Sequence, residues 1–173
     1  MKKTPEEVIK FFGCIPTINN GGCGVFALSF HRWLEKNMPE KLANMSIVYL
    51  YYSEEFKRFQ QNESLSFSAE FNNDEIWTPP HIGILWDNCI VEAGGGEVTA
   101  EKYKLWHEVS ARFLLENLKK YWTWNGIFSR FLYLPFIEKE LEISLEDIRI
   151  PNQPPNSKQL WLKFSQEEEA YDS

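Results

Sequence analysis

The chain has 173 residues, 43% of them apolar, and a formal net charge of −7. That length and composition suit one domain with a proper core and exclude a disordered chain. The acidic balance argues against nucleic acid as a partner, which needs a basic surface. No apolar run approaches the ~18–20 residues that cross a bilayer, so no membrane partner is expected either.

Thr4-Pro5-Glu6-Glu7 reads as a helix start, with Thr4 as cap, Pro5 in the first turn and Glu7 closing a capping box. Val8, Ile9, Phe11 and Phe12 give that helix an apolar face, and Gly13 is placed to end it. A loop follows through Pro16 and the glycines. A second helix begins near Cys23, where Val25, Phe26, Phe30, Trp33 and Leu34 repeat at helical spacing until Asn37 and Pro39. Residues 47–52 are β-branched, apolar and aromatic, hence a strand. Residues 54–74 form a polar excursion. After Pro79-Pro80 come two short apolar runs, Ile82–Leu85 and Ile90–Ala93, joined by a turn at Asp87-Asn88.

Beyond Gly94-Gly95-Gly96 the chain reads as helical. Ser110 caps a helix that turns Phe113, Leu114, Leu115, Leu118, Tyr121 and Trp122 inward. Residues 134–150 suggest a further helix and turn with Ser144 capping near Asp147, and 151–155 a stiff connector. Residues 159–164 suggest a last strand. The expected organisation is one α+β domain over residues 1–165 and an acidic tail over 166–173.

Three cysteines (Cys14, Cys23, Cys89) are too few for a disulfide framework. Met1-Lys2-Lys3 is followed by Glu6 and Glu7 rather than by an apolar signal core. Both features lead us to expect a reducing, cytoplasmic setting.

The chemistry concentrates at Asn19-Asn20-Gly21-Gly22-Cys23-Gly24, a glycine-rich approach to a cysteine at a helix N-terminus. The partial positive charge and unpaired N–H groups there favour a thiolate. If Asp87 and Asn88 form a two-residue turn, Trp86 faces Cys89, Leu85 faces Ile90, Ile84 faces Val91 and Gly83 faces Glu92. His81, Gly83 and Glu92 then share a face, and Glu92 is a diagonal neighbour of His81. Singly, Cys23 reads as a small buried residue, His81 as a surface histidine and Glu92 as an ordinary strand residue. Together they make a nucleophile, a base and an orienting acid. His31 lies two turns down the helix, off the line of Cys23, and reads as structural. His107 has no partner identifiable in the sequence. No cysteine or histidine pairing has zinc-ligand spacing, so no metal and no cofactor is expected. Gly94-Gly95-Gly96 lacks the Lys-Ser/Thr of a phosphate-binding loop.

Gly-Gly-Cys23-Gly-Val-Phe-Ala opening a helix, His81-Ile-Gly-Ile opening a hairpin and Glu92 in its second strand resemble the papain-like cysteine peptidase superfamily. The likeness is to its small bacterial and phage branches, including NlpC-type peptidases, and covers roughly residues 15–95. It implies a Cys-bearing N-terminal helix packed on an antiparallel sheet, with further C-terminal helices. It also implies a Cys23-His81-Glu92 triad acting on a peptide, protein or other amide through an acyl-enzyme. Glu92 stands where Asn, Asp, His or Gln is common in the superfamily. Thr17 occupies the position of the papain-type glutamine, which leaves Asn20 or Asn19 as the oxyanion side chain beside the Cys23 N–H. Two alternatives follow from the same frame: an acyltransferase or transglutaminase-like enzyme on the same triad, and a catalytically inactive binding module.

Overall fold

The computed structural model describes residues 2–16, 18–19, 22–51, 81–98, 103, 105–120 and 127–148. Helix α1 (Pro5–Phe11) is entered through the expected capping box, in which Glu7 N donates to Thr4 Oγ1 and Thr4 N to Glu7 Oε2, both at 3.1 Å. Gly13 does not end it. The chain tightens into a 3-10 turn, Phe12–Cys14, directly after Phe11. Helix α2 (Cys23–Asn37) is followed by a second 3-10 turn opened by Pro39, which cannot continue an α-helix.

Strands β1 (Met45–Tyr51), β2 (His81–Trp86), β3 (Cys89–Val91) and β4 (Leu105–Val109) form one antiparallel sheet in the order β3-β2-β1-β4. With helices α3 (Ala111–Lys120) and α4 (Ile127–Leu141) the architecture is α+β. β1 starts two residues before the expected Ile47. β4 was not anticipated. α4 begins seven residues before the expected Leu134 and carries Pro135 in its interior. The expected Ser110 cap is present, with Phe113 N donating to Ser110 Oγ at 3.1 Å. Expectations for Thr17, Asn20, Tyr52, residues 54–74, Pro79-Pro80, Tyr121, Trp122 and everything after Ile148 fall outside the described residues.

The core follows from alternation. On β1, Ile47, Tyr49 and Tyr51 turn to one face, where their direct partners on β2 include Ile84 and Ile82. α2 covers this face with Phe26, Phe30, Trp33 and Leu34, all buried. Its ring contacts run from Phe12 to Phe26 at 5.1 Å and from Phe30 to Trp86 at 5.5 Å, both edge-to-face. The other face holds a smaller cluster of Val48, Leu50 and Tyr103, edged by Leu85, Ile90 and Val98. Arg32 of α2 reaches the chain after α4, donating to Asp147 Oδ1 at 2.7 Å and Ser144 O at 2.8 Å. Among the described residues no helix is long and apolar enough to cross a membrane.

Candidate active site

The hairpin fixes the histidine and the acid. Asp87 and Asn88 have φ of 49° and 64°, the paired left-handed conformation of a type I′ turn, which matches the twist of the flanking strands. It sets the register Trp86↔Cys89, Leu85↔Ile90 and Ile84↔Val91. The ladder stops there. Glu92 N donates to Gly96 O and Gly95 N to Glu92 O, so the chain folds back on itself before Gly83 and Glu92 can pair. Gly94 and Gly95 make this return possible with φ of 94° and 93°.

Glu92 nevertheless reaches the histidine. His81 Nε2 lies 2.9 Å from Glu92 Oε2. The imidazole is 4% exposed and stacks on Tyr103, with ring centroids 5.7 Å apart and planes 22° apart. A side chain at Gly96 would crowd the acid, since a Cβ there would sit 3.1 Å from Glu92 Oε1.

The cysteine arrives on another element. Cys23 is the first residue of α2, half-buried, after Gly22. Among the described residues no side chain caps this helix start. Gly22 is required by close approach, because a Cβ there would lie 2.7 Å from Ile18 O. Cys14 and Cys89, by contrast, are exposed.

Two ties hold these parts together. Asn19 Nδ2 donates to Ala93 O at 3.0 Å, linking the approach to Cys23 with the residue after Glu92. Gly94 N donates to Ile9 O at 2.9 Å, pinning the acid-bearing return to α1. Asn19 therefore has a structural partner. Asn20, the other oxyanion candidate, lies outside the described residues.

The relation of Cys23 to His81 follows from β2. The residue after Cys23 meets the residue after His81: a Cβ on Gly24 would lie 3.3 Å from Ile82 Cδ1. Helix start and strand start thus sit at the same end of the sheet. Alternation turns Ile82 toward α2, whereas His81 packs with Tyr103 on the other face. Any route from the thiol to the imidazole therefore runs around the end of β2 rather than across one face.

On the face toward α2 stands a polar group that sequence reasoning missed. Tyr49 is fully buried, and Asn117 Nδ2 donates to its hydroxyl at 2.6 Å. The His107 ring lies 5.8 Å from the Tyr49 ring and stacks on Tyr51 at 5.3 Å. Burial pushes the Tyr49 hydroxyl far above its ordinary pKa; the Asn117 hydrogen bond opposes this, and negative charge on Cys23 adds to it. No sequence signal marks Tyr49, Asn117 or Tyr103, which come from three separate segments. Among the described residues no group of three or more His, Cys, Asp or Glu side chains is disposed to hold a metal ion. No protein-family model matches this chain, and neither the curated proteins nor the solved structures compared with it give a match.

Proposed function

We propose that the chain is a cysteine-dependent hydrolase of papain-like type, acting on a peptide, protein or other amide bond. The observation that carries this reading is the hydrogen bond between His81 and Glu92, 2.9 Å long and at the same end of the sheet as the helix start bearing Cys23. A helix on an antiparallel sheet, with the cysteine in the helix's first turn, supports the same frame.

In this reading Glu92 accepts the Nε2 proton of His81, which fixes the tautomer and leaves Nδ1 as the basic nitrogen. His81 takes the Cys23 proton. The thiolate attacks the acyl carbon, and the oxyanion forms near the Cys23 N–H at the start of α2. The imidazolium returns a proton to the leaving amine, and the thioester is cleaved by a water that His81 activates. Glu92 holds the ring and stabilises its charge. With an amine in place of that water the same steps transfer the acyl group.

The test is thiol-probe labelling joined to a peptide-library cleavage screen, wild type against Cys23→Ala and His81→Ala. We expect labelling at Cys23 and cleavage that both variants lose while still melting cooperatively. Cleavage that survives Cys23→Ala refutes the reading. Product analysis with an added amine separates hydrolysis from transfer.

A further inference from the structure

Three elements meet at the start of α2. A Cβ on Gly24 would touch Ile82 Cδ1 of β2 at 3.3 Å and, from α3, Leu118 Cδ2 at 2.9 Å and Leu114 Cδ1 at 3.5 Å. Tyr49 is the direct cross-strand partner of that same Ile82. Asn117, the neighbour of Leu118, holds the Tyr49 hydroxyl at 2.6 Å. The hydroxyl is therefore fixed from α3 at the junction where Cys23 begins its helix. A phenol has a single proton, and accepting from Asn117 turns that proton to another acceptor.

We propose that the Tyr49 hydroxyl, oriented by Asn117, turns its proton toward Cys23 and stabilises the Cys23 thiolate. This rests on the reading of Cys23 as nucleophile and adds a group to that site. The interaction is reciprocal: a thiolate beside Tyr49 keeps the phenol protonated, and the protonated phenol favours the thiolate. It also gives a reason for a fully buried tyrosine hydroxyl on this sheet face. Other titratable groups on this face are Tyr51 and His107, while His81 stands at the same end of β2 on its other face. On α3, Arg112 and Glu116 are exposed and Lys119 acts on Asp147.

The experiment is the pH profile of iodoacetamide alkylation at Cys23, read by peptide mass spectrometry with Cys14 and Cys89 as internal standards. Wild type, Tyr49→Phe, Asn117→Ala, His81→Ala and His107→Ala are compared, each checked for a cooperative melt. Tyr49→Phe should raise the Cys23 midpoint by about one pH unit. Below the midpoint the rate should fall only about threefold, because a more basic thiolate is also more nucleophilic. Asn117→Ala should move the midpoint the same way by less. A low wild-type midpoint that neither variant moves overturns the role of Tyr49 and leaves the hydrolase reading standing. A wild-type midpoint no lower than those of Cys14 and Cys89 overturns both. Should Tyr49→Phe fail to fold, Asn117→Ala decides, and an unmoved midpoint there overturns the proposal.

Discussion

Replacing Glu92 by alanine removes the acceptor of the His81 ring and nothing from the main core. The contact is 2.9 Å long, with the histidine side chain 5% and the glutamate side chain 35% exposed. Hydrogen bonds to a charged group contribute about 1.5–3 kcal/mol net. Solvent screens a carboxylate that is one-third exposed, so the lower end applies, about 1.5 kcal/mol. That corresponds to roughly a tenfold loss in a rate that depends on the oriented imidazole. Glu92→Gln keeps a neutral hydrogen bond of about 1 kcal/mol and should lose only about threefold. The assay is alkylation of Cys23 near neutral pH, with turnover added on any substrate found. Gly96→Ala approaches the same contact from the other side, because its Cβ would press on Glu92 Oε1 from 3.1 Å. It should fall between the two glutamate variants. If Glu92→Ala melts like wild type and Cys23 reacts within twofold of the wild-type rate, the pair plays no part in the thiol's chemistry. The approach around the end of β2 would then be wrong.

Two further outcomes concern the frame. Gly94→Ala places a side chain at φ 94° and 3.2 Å from Gly13 Cα, so it should cost about 2 kcal/mol and lower the melting temperature by roughly 4–8 °C in a thermal scan. The Arg32 hydrogen bond holds the Asp147 carboxyl below its usual range against a smaller opposing effect of burial. A depressed carboxyl stabilises the fold above its unfolded pKa near 4, and that stability is lost as pH falls through the folded value. Asp147→Asn should therefore destabilise by at most about 1 kcal/mol at neutral pH, since the pair is partly exposed, and the difference from wild type should shrink in acid. Urea titrations across pH that show a constant difference would refute the pairing argument.

The hairpin and the acid's reach were legible because one local signal, Asp87-Asn88 between apolar runs, sets the register of everything on either side. The capping box of α1 and the Ser110 cap were legible for the same reason: each is complete within four residues. β4 was not. Leu105–Val109 is short and no turn signal leads into it. As the edge strand beside β1 it leaves Trp106 43% exposed, so its pattern carries no clear face. The early stop of β3 depends on Gly96 and Ile9, which lie outside the strand itself. Tyr103 over His81, and Asn117 on the Tyr49 hydroxyl, are juxtapositions made by tertiary packing. A single sequence holds no local trace of them.

The tie from Asn19 to Ala93 spans 74 residues, and that span has a meaning in time. A ribosome adds about 5–20 residues each second, so Asn19 emerges roughly 4–15 s before Ala93. During that interval the approach to Cys23 lacks the return to which it is tied, and the partner of Arg32 at Asp147 comes later still. The proposed site therefore rests on contacts that are long in sequence, and its geometry exists only once most of the chain has been made.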